Sequence, residues 1–214
     1  MRVDLLLLDL DGTLIDSRRD IVAQVNAALD AAGHPRAPHE EIQRWIGRGS
    51  RYLFEKLAGK HASVQAVAAL VADFQRRYGA HLTDTTRVYP GVREALERCA
   101  AIRTVIVTNK SQGFADALVD ALDLRRSVPA VFGAEAFAAM KPDPLPLVET
   151  CRRFGVAPAR AAMVGDTWAD VAASKKAGCL TIAASWGYGD LQAMRELGPD
   201  HEIASIAELP GLLN

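Results

Sequence analysis

Hydrophobic positions along the chain follow two rhythms. Residues 3–8 are apolar almost throughout. Such a run suits a strand covered on both faces of a parallel sheet. The spacing then changes. Ile21, Val25, Ala28 and Leu29 recur at helical intervals, with Gly33 placed as a C-cap. Ile42, Trp45 and Ile46 predict a second helix that stops at Gly47. Ser50 is placed to cap a third, which carries Leu53, Phe54 and Leu57. Val64, Val67, Val71, Phe74 and Tyr78 form a long fourth stripe, so residues 17–82 read as helices only.

After the turn sequence Tyr89-Pro90-Gly91 the pattern alternates. Strands are expected at 104–107, 130–132, 161–164 and 180–183. Helices are expected at 92–99, 114–122, 145–154, 169–177 and 206–212. Regular alternation of this kind predicts a parallel α/β sheet with right-handed crossovers. The expected fold is therefore α/β, with a Rossmann-like parallel-sheet core, helices on both faces and an inserted all-helical cap domain. Residues 1–16 and 83–214 would form the core and 17–82 the cap. The hinges would lie near Asp16 and Ser17 and over 82–87.

Composition narrows the function classes. The chain has 214 residues, half of them hydrophobic, and a formal net charge of -1. No global basic field draws it to nucleic acid or to an anionic membrane. The apolar run at 5–8 is too short for a membrane span or a signal-peptide core. Cys99, Cys151 and Cys179 show no CxxC spacing, and free buried thiols in a reducing cytoplasm are the simplest account. The five histidines form no zinc pattern.

The candidate chemistry sits where strands end, which in open parallel sheets is where ligands bind. Asp9, Asp11, Gly12 and Thr13 follow the first strand. Thr108, Asn109 and Lys110 follow 104–107, and Gly165, Asp166, Thr167 and then Asp170 follow 161–164. Lys141 lies in a loop, because Pro142 disfavours helical geometry before it. Each cluster alone has a plainer reading: an Asp-Gly turn, a solvated loop, a turn with an exposed lysine, or an N-cap by Asp166 or Thr167. Together they would bring several carboxylates, one lysine and hydroxyl donors into one crevice.

The order Asp-x-Asp-Gly-Thr (9–13), Thr-Asn-Lys (108–110), Lys-Pro (141–142) and Gly-Asp-Thr-x-x-Asp (165–170) resembles the haloacid dehalogenase superfamily, in its phosphatase branch with a helical cap. Within that branch, residues 46–57 and 178–189 are similar to phosphoglycolate phosphatases. Leu8 departs from the aromatic residue that relatives often carry there. The resemblance implies a phosphomonoester hydrolase with Asp9 as the nucleophile that forms an aspartyl phosphate. It implies Asp11 as general acid and base, protonating the leaving alkoxide and then activating water. Crowding by the other carboxylates would help Asp11 hold its proton. Mg²⁺ would be held by Asp9, the backbone carbonyl of Asp11 and Asp166, with Asp170 beside it. Lys141 would pair with Asp9 and the phosphoryl group, and Thr108 and backbone N–H groups near Asp11 and Asn109 would bind phosphoryl oxygens.

The partner implied is a small phosphorylated metabolite, most simply 2-phosphoglycolate, and the protein would be a monomer or homodimer. In the cap, Arg48 and Arg51 of "GRGSR" are candidates to bind the substrate carboxylate bidentately, and a turn with solvated arginines is the plainer alternative. The loop "SWGYG" (185–189) either lines the site or is an ordinary loop, while Trp45 and Trp168 read as packing residues. Alternatives are another substrate (a sugar phosphate, nucleotide or pyrophosphate), a phosphomutase, or a silent binding protein on the same fold. The last would be expected to lack one of Asp9, Asp11, Lys141 and Asp166, and all are present.

Overall fold

The computed structural model describes residues 2–213. Its central sheet is built from β1 (Leu5–Leu8), β4 (Arg103–Val107), β5 (Ala130–Phe132), β6 (Ala161–Gly165), β7 (Leu180–Ala184) and β8 (His201–Ile203). The order across the sheet is β5-β4-β1-β6-β7-β8, and every neighbouring pair is parallel. The first strand is thus central, paired with β4 through Leu8↔Ile106 and with β6 through Leu8↔Val164. Its four leucines divide by parity. Leu6 and Leu8 join one buried cluster with Ile106, Leu118 and Val164, while Leu5 and Leu7 join another with Val105, Leu147 and Met163. A strand buried on both faces has no polar alternation, which is why the sequence shows an unbroken run.

Helices cover both faces. On the first lie α5 (Val92–Arg98), α6 (Gln112–Ala121) and α10 (Leu209–Leu213), and on the second α7 (Leu145–Phe154) and α8 (Trp168–Ala177). The remaining helices are α1 (Arg18–Ala31), α2 (His39–Trp45), α3 (Ser50–Leu57), α4 (Val64–Ala80) and α9 (Leu191–Glu196). Helices α1 to α4 pack around a further cluster, centred on Val25, Leu29, Ile42, Phe54, Phe74 and Tyr78, which Tyr188 joins and against which Phe114 of α6 packs. The three cysteines are free and buried.

Several expected boundaries shift. The first strand starts at Leu5 rather than at 3, α6 starts at Gln112, and the final segment is a short 3-10 turn (Ile206–Glu208) before α10. Ser50 does not cap α3. It is the first helical residue, and Gly49 takes the cap position at φ 82°, which suits a residue without Cβ. Both α9 and the edge strand β8 are missing from the sequence reading. In β8 only Ile203 is buried, so no apolar run marks it.

Where the chain leaves the sheet and returns, β2 (Ile15–Asp16) pairs antiparallel with β3 (Arg87–Val88). Next to this ribbon, Asp20 of α1 accepts hydrogen bonds from the backbone N–H and hydroxyl of both Thr85 and Thr86, at 2.6–3.0 Å. The carboxylate is buried, and burial alone would raise its pKa. The threonine bonds outweigh this and hold it below the ordinary value. Asp20→Ala would leave buried donors without partners, at a cost of about 2–4 kcal/mol. We expect a melting temperature several degrees lower in calorimetry. A depressed folded pKa stabilises the fold above the ordinary carboxylate value. That contribution should disappear as pH falls below it, and the variant should not show this part of the acid dependence.

Candidate active site

Three parallel strands deliver the site. Asp9 directly follows β1, Thr108 follows β4, and Asp166 follows β6, so their side chains converge at the carboxyl edge of the sheet. Carboxylate oxygens of Asp9, Asp166 and Asp170 lie within 4.8 Å of one another, and all three residues are buried. Lys141, 4% exposed, is no surface turn residue. Its Nζ is 3.0 Å from Asp9 Oδ1 and 2.6 Å from Asp170 Oδ1, and it donates to the carbonyl of Val107 at 2.7 Å. The ammonium is thus held at one end by the sheet and faces two acids at the other.

The electrostatics follow from this placement. Burial pushes Asp9 up to about 6; Lys141 pulls it down and Asp170 pushes it further up. Burial, then Asp9 and Asp170, raise Asp166 well above the usual carboxylate range. Burial works against the charge on Lys141, but Asp170 and Asp9 outweigh it and hold the ammonium above its ordinary value. Three carboxylates against one ammonium leave two negative charges uncompensated when all are ionised. Asp9 Oδ1 and Asp170 Oδ1 are buried without a hydrogen bond in good geometry. An all-oxygen, doubly negative set of this kind fits a hard divalent cation.

Asp166 is held from two sides. Its Oδ1 accepts from the Thr13 hydroxyl at 2.8 Å, and its Oδ2 from the Tyr188 backbone N–H at 2.8 Å. Gly12 sits at φ 83° with its Cα against this carboxylate, and a Cβ there would collide with it. Gly187 approaches the same side chain as closely. The "SWGYG" loop therefore backs the acidic cluster. Its Tyr188 hydroxyl also accepts from the N–H groups of Ser17 and Arg18, at 2.8 and 3.1 Å, where α1 begins. Of the two capping alternatives, Thr167 takes the N-cap of α8. Its N–H and hydroxyl donate to Asp170 Oδ2 at 3.0 and 2.6 Å, so that oxygen is committed to the helix end.

Asp11 is placed differently from the sequence expectation. Its carboxyl is not crowded among the other acids. It accepts from the Ser17 hydroxyl at 2.5 Å and pairs with Lys110 Nζ at 2.9–3.1 Å. The Asn109 side chain is a clamp: it donates to the carbonyls of Gly47 and Lys141 at 2.9 and 2.8 Å and accepts from the Lys141 N–H at 3.0 Å. Thr108 is buried, and its hydroxyl accepts from the Lys110 N–H at 3.2 Å.

A cavity of about 570 Å³ opens over these residues, lined by Asp9, Asp11, Thr108, Lys110 and Lys141 from the sheet side and by Arg48, Arg51, Phe54 and Tyr78 from the helical side. The two arginines are not free forks. The Arg48 guanidinium stacks 3.9 Å from the Tyr52 ring centre and 4.9 Å from that of Trp168, and donates to the Tyr52 hydroxyl at 2.7 Å. Arg51 is well exposed and pairs with Glu55 at 3.0 Å. Trp45 packs edge-on against Tyr52. Trp168 does more than fill space, since it forms part of the seat for Arg48. Ser17 and Tyr78 had no site role in the sequence reading, while Thr13 and Tyr188 appeared only as members of the first polar cluster and of the SWGYG loop. Thr13 stood inside the Asp-x-Asp-Gly-Thr motif, but Tyr78 looked like one more apolar position of a helical stripe.

A parallel sheet thus carries buried carboxylates and a paired lysine at its strand ends, under a cavity, which is an acidic centre of the kind that binds a divalent cation and a charged small molecule. The family model for haloacid dehalogenase-like hydrolases matches residues 6–184, and the chain belongs to that family. It is 38% identical to a phosphoglycolate phosphatase of Chromobacterium violaceum, with 96% of this chain and 94% of that one covered. It is 32% identical to one of Haemophilus influenzae, with 96% of both covered. Among solved structures it is similar to a predicted phosphoglycolate phosphatase from Haemophilus somnus 129pt, with a TM-score of 0.93 and 27% identity, covering 100% of this chain and 99% of that one. Among the described residues no helix is long and apolar enough to cross a membrane.

Proposed function

We propose that the chain hydrolyses phosphomonoesters through an aspartyl phosphate on Asp9, with 2-phosphoglycolate as substrate and Mg²⁺ as the resident ion. The observation that carries this is the convergence of Asp9, Asp166 and Asp170 within 4.8 Å, with Lys141 against Asp9, below an open cavity. Asp9 and Asp166 would hold the ion. Asp170, already committed to Lys141 and Thr167, would act by fixing that lysine. When bound, the ion supplies Lewis-acid neutralisation of the charge between nucleophile and phosphoryl group.

The chain's own groups do the rest. A carboxylate oxygen of Asp9 attacks phosphorus, and the P–O bond to the leaving alkoxide breaks as Asp11 gives that oxygen its proton. Asp11 then takes a proton from water, which cleaves the acyl phosphate and restores Asp9. Lys141 and Thr108 balance and orient the phosphoryl oxygens. Residues 17–82 would serve as the cap that excludes water, with the β2–β3 ribbon as its hinge. Asn109 helps by tying the Gly47 carbonyl of that cap to the Lys141 loop.

The substrate reading rests on the names of the relatives and on the arginines in the cavity wall. Arg48 would offer its remaining donors to the substrate carboxylate, and Arg51 would have to leave Glu55 to do so. The experiment is phosphate release from 2-phosphoglycolate beside sugar phosphates, nucleotides and pyrophosphate. A kcat/KM for 2-phosphoglycolate at least about tenfold above the rest is expected, the discrimination that roughly 1.4 kcal/mol supports. Comparable values across the panel would retain the phosphatase chemistry and remove this substrate.

A further inference from the structure

The carboxyl of Asp11 is held by two groups that belong to different parts of the fold. Ser17, at the start of α1, donates to its Oδ1 at 2.5 Å. Lys110, after β4, places its ammonium 3.1 Å from Oδ1 and 2.9 Å from Oδ2. The same ammonium donates at 2.9 Å to the hydroxyl of Tyr78, near the end of α4, and lies 4.6 Å from that ring's centre. Tyr78 is rigid in turn: it stacks on Phe74 at 5.2 Å and meets Phe114 of α6 edge-on at 5.2 Å. Tyr78 is 1% exposed, and the Lys110 side chain 7%, although both line the cavity.

A lysine has four rotatable bonds and loses considerable freedom when fixed. Lys110 is fixed here because three oxygen atoms from two segments surround its head. If the helical segment lifts away, Tyr78 leaves with it. The ammonium then loses the neighbour that sets its direction and gains water.

We propose that Lys110 is the positioning residue of the acid/base step, aiming Asp11 at the leaving oxygen only while Tyr78 is seated against it. This rests on the proposed role of Asp11 as general acid. In this arrangement closure of the helical segment and readiness to transfer a proton are linked through one ammonium. Substrate that does not draw α4 into place would meet an acid that is present but poorly aimed.

The test uses esters whose leaving groups differ in their need for a proton. An alkyl phosphate requires one, whereas p-nitrophenyl phosphate releases a stable phenolate without it. For Tyr78→Phe, which keeps the ring, kcat/KM on 2-phosphoglycolate should fall about tenfold, a fraction of the ~10²–10⁴ that general acid catalysis supplies. On p-nitrophenyl phosphate it should change by less than about twofold, while thermal melting stays near wild type. Lys110→Met should show the same asymmetry more strongly, and Lys110→Arg should recover part of it.

Equal losses on both esters would mean that the two residues only support the fold, and the inference would be overturned. So would full activity on 2-phosphoglycolate in Tyr78→Phe and Lys110→Met. Asp11→Asn serves as the reference. If it loses activity on the alkyl ester selectively and the Lys110 and Tyr78 variants do not, the linkage fails but the acid assignment stands. If Asp11→Asn itself shows no asymmetry, the acid assignment fails and the linkage with it.

Discussion

Asp9→Asn should lower kcat on any phosphomonoester by at least about 10⁴-fold, the scale on which removal of a nucleophile acts. The amide is nearly the same size as the carboxylate, so packing against β1 and β6 is retained. What disappears is an anionic oxygen, the attacking atom under the proposed mechanism, and one of the charges facing Lys141, 3.0 Å away. The fold should survive the change. Burial already raises the Asp9 carboxyl to about 6, so its charged form is costly to keep in the metal-free protein near neutral pH. Replacing it by a neutral group relieves that cost while weakening the pairing with Lys141. The two effects oppose each other, and circular dichroism and melting should remain close to wild type. Phosphate release in the presence of Mg²⁺ measures the loss. Activity above about 1% of wild type in folded protein would require another nucleophile.

Much of this architecture could be read from the chain because its signals are local. Strand β1 is central and buried on both faces, so its leucines are contiguous. Strand β5 and helix α7 fall at the expected residues, since turn sequences bound them on both sides. The acids at strand ends were legible because polar residues directly after a buried run have few alternative uses. What escaped was decided at long range. The edge strand β8 buries only one of three side chains, so no period distinguishes it. Tyr188 contacts Ser17 and Asp166 across 171 and 22 residues. No window of sequence shows such a meeting. Lys110 was visible beside Thr108 and Asn109, but its partner Tyr78 lies 32 residues away in a stripe that looked apolar. The carboxylate crowding expected at Asp11 failed for a related reason. Two residues of spacing after a strand do not fix which way a side chain turns, and Asp11 turns to Lys110 rather than to Asp9.

Removal of divalent metal should have the other large effect, and it should depend on pH in a defined direction. Chelation with EDTA should abolish turnover, by at least about 10³-fold, and Mg²⁺ should restore it. The same cation should stabilise the fold. At a concentration 100 times its Kd the gain is about 2.7 kcal/mol. For a chain of this size that corresponds to a rise of roughly 5–10 °C in Tm. The raised carboxylates set the pH dependence. Asp9 titrates at about 6 in the folded protein against an ordinary value of 3.8, and Asp166 is raised for the same reason, burial first. Between those values the folded state binds protons that the unfolded state has released. Stability of the metal-free protein from these groups therefore falls as pH rises from about 4 through about 6. A cation offsets that loss only once the protons have left, because it competes with them for the same oxygens. Mg²⁺ should consequently raise Tm strongly at pH 7.5 and little at pH 5. Calorimetry at both pH values, with EDTA and with Mg²⁺, measures the difference. An equal rise at both would place the cation away from Asp9 and Asp166, and no rise at either would remove it from this cluster.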